Sequence, residues 1–356
     1  MRLYHGRNCS GLRFDVECTA ASDLQKFGMS GISQSLAVIS ISSGGDFLDT
    51  TTFSLAIVNW NTRDLLDDCL ASIRAVKGSE SVEVLVADNL SSDGSAEMVT
   101  EKYPEVNLIR NSDNLGFAGG HATLFPHSTG KYHVLINSDV RLEPGCLEIV
   151  RKRMESDPQI GILGCRITGP DQQIQPSCRR FPTLWRQLID ASGINRIFAR
   201  SSFWNAYKMG DFDHLSSREV DQVMGSFFVI RRELIEKIGV LDTNFFMYYE
   251  EVDYCLRARK AGFKIFYEAD AVIWHKGGGS SDLVRVHTIR RTMRSMRHYY
   301  RKHYGMWTWL PLMAIVSLDT VTHVLYALFR RRNPLQTLKA YGLGLLDVVV
   351  MKRADT

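Results

Sequence analysis

Short apolar runs alternate with helical periodicity along the chain from residue 53 onward. Residues 53–58, 82–88, 106–110 and 132–137 have the length and composition of buried strands. Helical spacing or helix-start signals lie between these runs, and Ser95 is placed to cap a helix over "AEMVTEKY". Strands and helices that alternate at these lengths predict βαβ units and a parallel sheet.

The second half of this region continues the alternation. We expect a helix over 144–156, a strand and short helix within 223–239, and a helix over 251–262. The last of these has acidic residues in its first turn and basic residues in its last turn, which stabilises both ends.

Polar side chains collect where the predicted strands end. In chain order these residues are Asn59, Trp60 and Asn61; Asp88 and Asn89; Asn111, Asp113 and Asn114; and Asn137 and Asp139. Each cluster alone is typical of a turn. Ligands bind beyond the carboxyl ends of the strands in such sheets, so four clusters at one edge predict a binding site.

The stretch "MYYEEVDYC", residues 247–255, places Glu250, Glu251 and Asp253 directly after two tyrosines. Acidic residues stabilise a helix start, and this interpretation explains Asp253 well. It does not explain why both glutamates follow "FFMYY". A catalytic base held at the rim of a pocket is the second interpretation.

Composition narrows the class of protein. The 356 residues carry a formal charge of +4, which is too small to indicate a nucleic-acid partner, and we expect none. Seven scattered cysteines without a CxxC pair favour a reducing compartment over a disulfide framework or a zinc site. The start of the chain has no apolar run of signal-peptide type, so we expect a cytoplasmic protein.

Seven stretches, in this order, resemble the family 2 glycosyltransferases, especially their bacterial rhamnosyltransferase-like branch. They are "LAIVNWN", "VLVADNLSSDGS", "NSDNLGFAGGHA", "VLINSDV", "MGSFFVIRRELIEKIGVLD", "FFMYYEEVDYCLRARKAGF" and "AVIWHKGGGS". The resemblance implies an α/β protein with the GT-A fold, a Rossmann-like, mostly parallel sheet flanked by helices. It also implies a nucleotide-sugar donor and an inverting mechanism.

The resemblance assigns the nucleotide-sugar site residue by residue. Val58 and Trp60 would lie against the base, and Asp88 would contact the base or the ribose. Asn114 and Gly116 would lie in the loop near the nucleotide.

The resemblance also assigns the metal and the base. The family's DxD motif is here Asn137-Ser138-Asp139, so Asp139 and His275 would hold Mg²⁺ or Mn²⁺ while Asn137 contacts the nucleotide sugar. One motif carboxylate is missing, which implies that the diphosphate supplies much of the coordination. The base position, usually Asp after Glu, is here Glu250-Glu251; Glu251 is favoured, and Glu250 stays open.

These residue types suit the implied chemistry. Negative charge develops on the diphosphate leaving group, and a hard cation on oxygen ligands neutralises it. A carboxylate on the opposite face takes the proton of the attacking hydroxyl. A nucleotidyltransferase or NAD-dependent enzyme would instead need a glycine-rich loop after the first strand, where this chain has "NWNTRD".

We expect three regions: a leader and linker over 1–52, the GT-A domain over 53–280, and a basic, amphipathic helical region over 281–356. The arginine-rich segment 285–304 could also be a solvated helix. Segment 306–329 has spanning length, but Pro311, Asp319 and His323 interrupt it and basic residues flank it on both sides. It suits a membrane interface better than a span; packing on the catalytic domain or on a second copy in a homo-oligomer is the alternative.

Together these features predict a peripheral enzyme at the cytoplasmic face of the inner membrane. It would move a sugar, with rhamnose as one candidate, from a dTDP- or UDP-sugar to a glycan or polyprenyl-diphosphate-linked acceptor in cell-envelope polysaccharide synthesis. The alternative is a non-catalytic nucleotide-sugar-binding partner at the membrane.

Overall fold

The computed structural model describes residues 51–76, 78, 80–277, 285–329 and 341–346. The predictions for 1–50 and for the basic cluster 330–332 lie outside the described residues. All described residues belong to one compact unit, Leu48–Thr356. The boundary expected between residues 280 and 281 stays a prediction.

Eleven strands are present in the described residues. They are β1 (Phe53–Asn59), β2 (Val82–Asp88), β3 (Asn107–Arg110), β4 (Tyr132–Asn137), β5 (Val140–Leu142), β6 (Ile160–Thr168), β7 (Cys178–Arg179), β8 (Arg218–Val220), β9 (Gln222–Val223), β10 (Phe227–Arg231) and β11 (Lys264–His275). Nine of them form one sheet in the order β3-β2-β1-β4-β10-β6-β11-β5, with β8 paired to β11, while β7 and β9 pair separately.

Ten α-helices accompany the strands in the same ranges. They are α1 (Arg63–Val76), α2 (Ser95–Lys102), α3 (Gly116–Leu124), α4 (Cys146–Ser156), α5 (Leu184–Ser192), α6 (Ile194–Ile197), α7 (Arg232–Ile238), α8 (Glu250–Lys260), α9 (Arg285–Tyr304) and α10 (Trp309–Phe329).

The predicted parallel sheet is confirmed for its first half, where β3, β2, β1 and β4 pair in parallel. Beyond β4 the sheet is mixed, because β10 runs antiparallel to both β4 and β6. The apolar face of α1 (Leu66, Cys69, Leu70 and Ile73) is buried against this sheet, as its helical spacing predicts.

The prediction that Ser95 caps α2 is wrong. The helix begins at Ser95, and the residue before it is Gly94 in the left-handed conformation. The hydroxyl and the backbone N–H of Ser95 both donate to the carboxylate of Asp93, which satisfies the polar groups of the helix start instead.

Helix α9 packs on the segment that leads into α8 and is not a solvated helix. Its buried Met293, Met296, Tyr299 and Tyr300 form an apolar cluster with residues 245–252 and with α10. The Oγ of Ser295 also donates to the carbonyl of Met247 at 2.9 Å. The segment that leads into α8, and the first turn of that helix, therefore rest on a helix that comes later in the chain.

Ion pairs also connect helix α8 to helix α9. The carboxylate of Asp253 is fully buried and lies 2.8 Å from Lys302 Nζ and 2.7 Å from His303 Nε2, both on α9. Arg257 Nε lies 2.8 Å from its other oxygen. Asp253 thus joins two helices besides occupying a helix start.

Helix α10 buries one side and exposes the other. Leu312 and Val316 join the cluster with α9, whereas Leu310, Val321, Leu325 and Leu328 are exposed. In the described residues, Met306–Tyr326 is the helical stretch long and apolar enough to cross a membrane, and 22% of its most apolar window is buried.

Asp253→Asn should lower the free energy of unfolding by about 3 kcal/mol, because removing the buried carboxylate takes this partner from Arg257 and His303 and leaves Lys302 with Asp242 alone. Urea unfolding measures this. Glu97→Gln is the matched control: it also removes a first-turn carboxylate, but its Arg110 partner lies at the surface, so little change is expected. Equal losses in both variants would show that Asp253 acts only on its own helix start.

Candidate active site

A cavity of about 320 Å³ lies beyond the carboxyl ends of β1 and β4, where the strand-end clusters predict a site. Nine of the ten predicted site residues line it. They are Val58, Trp60, Asn114, Gly116, Asn137, Asp139, Glu250, Glu251 and His275.

The tenth residue, Asp88, lies at the same sheet edge but behind the cavity wall. Its Oδ1 accepts a hydrogen bond from Asn59 Nδ2 at 3.0 Å, and its Oδ2 accepts one from the N–H of Ser91 at 2.9 Å. The strand register, which pairs Asn59 with Asp88, produces this contact. Asp88 therefore orders the ends of two strands; its contact with a nucleotide stays a prediction.

Gly116 ties the loop after β3 to the segment that carries the glutamates. Its φ is +71°, and an added Cβ would lie 2.2 Å from the carbonyl oxygen of Phe246. The next residue, Phe117, donates its N–H to that carbonyl at 2.8 Å. Only glycine permits this approach, because any side chain would meet backbone.

Asp139 and His275 meet because β5 pairs with β11, with Val140 opposite His275. His275 Nε2 lies 3.3 Å from Asp139 Oδ1. On its other side, His275 Nδ1 lies 3.1 Å from Gln175 Oε1, and Gln175 Nε2 donates to the His275 carbonyl at 2.9 Å. A proton on Nδ1 directed at an amide oxygen leaves the Nε2 lone pair facing Asp139, which is the orientation of a metal-binding histidine.

This pair fits a divalent cation that receives further ligands from a substrate. The described residues contain no group of three or more His, Cys, Asp or Glu side chains that could hold a metal ion. A hard cation takes six or more oxygen-rich ligands, so the remaining positions suit diphosphate oxygens and water.

The two glutamates enter the cavity from an unusual turn. Tyr248 and Tyr249 have φ angles of 68° and 69°, the left-handed region that side chains disfavour, and α8 begins at the next residue. Tyr249 is buried in the cluster with α9, while Tyr248 lines the cavity. The turn directs both carboxylates toward the cavity.

The carboxyl pKa values are raised by this placement. Burial, then the neighbouring charge of Glu251, raises the pKa of Glu250 well above its usual value. Burial also raises the pKa of Glu251, but backbone N–H groups at the helix start and the positive charge of Arg179 oppose the shift. Each side chain has an Oε2 without a hydrogen-bond partner among the described residues. Buried polar atoms of this kind normally have a partner, and here a substrate can supply it.

Residues from α9 complete the cavity, and the sequence did not indicate them. Thr288 and Arg291 line the wall opposite the sheet. The Arg291 guanidinium carbon lies 4.1 Å from the ring centroid of Phe246, a cation–π contact that holds positive charge at the cavity. The arginine-rich composition of α9 was a signal of anion binding, but nothing in it specified this cavity.

Comparison with known proteins agrees with this architecture. The family model "Glycosyltransferase like family 2" matches residues 51–297, more than half of the chain and including most of α9. An N-acetylglucosaminyl-diphospho-decaprenol L-rhamnosyltransferase of Mycobacterium tuberculosis is 27% identical over 304 residues, which cover 82% of this chain and 98% of that protein. A low-salt glycan biosynthesis hexosyltransferase of Haloferax volcanii is 24% identical over 224 residues, covering 60% of this chain and 63% of that protein.

A solved mannosyltransferase from Pyrobaculum calidifontis, in complex with GDP-Man and Mn²⁺, superimposes with a TM-score of 0.49 at 16% identity. The match covers 85% of this chain and 88% of that one. On the family match, the sheet and the helices that flank it, this chain is a GT-A glycosyltransferase and belongs to glycosyltransferase family 2.

Proposed function

We propose that the protein is an inverting, metal-dependent glycosyltransferase that uses a nucleotide-diphosphate sugar. The observation that carries this proposal is the convergence of two carboxylate groups on one cavity: Asp139 beside His275, and Glu250 beside Glu251. The first pair suits a cation, and the second suits proton transfer.

The donor would lie along the carboxyl ends of β1 and β4. Val58 and Trp60 present apolar surface for the base, and Asn114, Gly116 and Asn137 line the path toward Asp139. Asp88 contributes by holding Asn59 and the loop at Ser91. When bound by Asp139 and His275, Mg²⁺ or Mn²⁺ would neutralise the charge that develops on the diphosphate. Arg291 adds positive charge on the opposite wall.

Glu251 is the proposed general base, and Glu250 supports it. Both pKa values are raised, but Glu251 has three opposing backbone hydrogen bonds and the nearby Arg179, whereas Glu250 has one backbone hydrogen bond and no such cation. Glu251 is therefore the carboxyl group that ionises more readily, while Glu250 keeps its proton and donates a hydrogen bond. Two acids whose environments separate their pKa values divide the roles of base and donor in this way.

The acceptor would be a glycan or polyprenyl-diphosphate-linked sugar, and the transferred sugar rhamnose or another hexose from dTDP or UDP. The similarity to a rhamnosyltransferase named for a diphospho-decaprenol acceptor, over 98% of that protein, supports this assignment.

The exposed side of α10 supports a place at the cytoplasmic face of the inner membrane. Six large apolar side chains of α10, or of the residues just before it, are more than half exposed: Met306, Trp307, Leu310, Val321, Leu325 and Leu328. Arg297 and Arg301 share a cleft with Trp309 at the start of this surface. Apolar side chains beside arginines bind the boundary of an anionic membrane. A homo-oligomer that covers the same surface is the competing arrangement.

Glu251→Gln should lower kcat about 10²-fold or more, because the base is lost while size is kept. Glu250→Gln should retain more activity, since a Gln amide can still donate a hydrogen bond.

The acid limb of the wild-type pH–rate profile should lie above the usual carboxyl range, because activity requires ionised Glu251 and its pKa is raised. A dead Glu250→Gln beside an active Glu251→Gln would reverse the assignment. Wild-type binding of nucleotide sugars without turnover would favour the non-catalytic alternative.

Chelation should abolish transfer, and Mg²⁺ or Mn²⁺ should restore it. Asp139→Asn and His275→Gln should each weaken the metal dependence of nucleotide-sugar binding, measured by calorimetry with and without the cation. Full activity in excess chelator contradicts the metal assignment.

Full-length protein should float with vesicles that contain anionic phospholipid. A Leu310→Glu/Leu325→Glu variant should stay unbound, because charge on this surface opposes insertion, while Glu251→Gln should bind as wild type does. The surface would be an oligomer interface if the wild-type protein does not bind vesicles but is a dimer by light scattering, and if the double variant is a monomer.

A further inference from the structure

A second cavity, of about 200 Å³, adjoins the first one. Met224, Tyr248 and Glu251 line both cavities, whereas Glu250 lines only the first. Arg179, Tyr207 and Gln222 are among the residues that line only the second. Glu251 thus stands between two spaces, one of which contains the Asp139–His275 pair and one of which does not.

Arg179 brings a positive charge to this second cavity. Its Nη1 donates to the carbonyls of Pro176 at 3.0 Å and Cys178 at 2.8 Å, which fixes the guanidinium plane. Among the residues that the structure describes, neither its Nε nor its Nη2 has a hydrogen-bond partner, and no carboxylate lies within ion-pairing distance of it. Its charge lowers the pKa of both Glu251 and Tyr207, although burial raises the pKa of Tyr207 to about 12.

We infer that the second cavity binds the acceptor sugar and that Arg179 binds a phosphate group carried by that sugar. The inference rests on the proposed function and specifies its acceptor site. A planar guanidinium with two unused donor positions matches the oxygens of a phosphate, and charge-assisted hydrogen bonds of this kind are strong. The cavity is smaller than the 300–1,000 Å³ typical of pockets that enclose drug-sized ligands, which suits a single sugar ring.

The arrangement of the two cavities suits a direct displacement. With the diphosphate of the donor near Asp139, an acceptor hydroxyl in the second cavity approaches from the side of Glu251. The hydroxyl oxygen forms the new bond to the anomeric carbon, and the bond from that carbon to the diphosphate breaks with its electron pair leaving on the diphosphate. The hydroxyl proton passes to Glu251. Glu250, which does not reach the second cavity, cannot take that proton from this side.

The test compares two soluble acceptors that differ in the group on the anomeric oxygen, a phosphate in N-acetylglucosamine 1-phosphate and a neutral methyl group in methyl N-acetylglucosaminide. Rates are measured at a pH above the acid limb, so that the effect of Arg179 on the pKa of Glu251 does not enter. Wild-type enzyme should prefer the phosphorylated acceptor. Arg179→Met should raise the KM for that acceptor by about 10- to 100-fold, from the usual strength of hydrogen bonds to charged groups, and should change the KM for the neutral acceptor far less.

Arg180→Met is the matched control, because the neighbouring Arg180 pairs with Asp211 and does not line the cavity. Arg179→Lys should recover part of the preference, and all variants should bind nucleotide sugar with wild-type affinity. Inorganic phosphate should compete with the phosphorylated acceptor in wild type and not in Arg179→Met. Arg179→Met should also lower the activity with a lipid-linked diphosphate acceptor, and by as much as the activity with the 1-phosphate. Equal losses would show that Arg179 binds the phosphate and not the lipid.

Equal loss with both acceptors, or a loss of nucleotide-sugar affinity, would overturn the inference by showing a general role for Arg179. Wild-type enzyme that hydrolyses its donor but shows no preference between the acceptors would overturn it while leaving the proposed function in place. Wild-type enzyme that neither hydrolyses nor transfers the donor would overturn both.

Discussion

The backbone at Tyr248 and Tyr249 is the constraint on which the active site depends. Two consecutive left-handed residues, neither of them glycine, cost about 1–3 kcal/mol each and persist only where surrounding structure holds them. Here that structure is α9: the ring of Tyr249 lies 5.5 Å from that of Tyr299, and Ser295 donates to the carbonyl just before the turn. If the turn relaxed, α8 would begin in a different direction and the two glutamates would leave the cavity.

Three parts of the molecule are joined through Phe246. Its carbonyl accepts from Phe117 and excludes any side chain at Gly116, which fastens the loop after β3. Its ring lies under Arg291 of α9. The loop expected near the nucleotide, the segment with the glutamates and the C-terminal helix therefore share one contact point. If substrate binding moved any one of these three parts, the contacts of Phe246 would move the other two.

The sequence predicted the parts of the fold that local pattern controls. The strands β1, β2 and β4 follow from short runs of mostly apolar residues, and the sheet edge follows from Asn and Asp residues after each run. The strand β10 was predicted but its antiparallel direction was not, because strand direction depends on tertiary pairing that a short run such as "FFVIR" does not encode. The cap of α2 was misassigned, since Asp93 and Ser95 are both capping residue types and only the backbone shows which one precedes the helix.

Cavity residues that belong to recognisable motifs were predicted from the sequence, and those contributed by other parts of the chain were missed. Asp139 and His275 are far apart in sequence but belong to stretches that resemble a known family. Arg179 and Arg291 have no such motif, and they reach the cavities only through the packing of β7 and α9. The basic composition of α9 suggested a membrane surface, whereas Arg291 faces the cavity and Lys302 pairs with Asp242 and Asp253.

The buried glutamate pair also affects folding. Because the pKa values of Glu250 and Glu251 are raised above the ordinary glutamate value of about 4.5, the folded chain holds protons there that the unfolded chain has already released. Their contribution to stability therefore falls as the pH rises through that interval. Asp242 and Asp253, whose pKa values are lowered by partners on α9, act in the opposite sense and lose their contribution only in stronger acid. At Glu250 and Glu251, the protonation that stabilises the folded chain is the same protonation that removes the proposed base, so their contribution to stability and the activity change with pH in opposite directions.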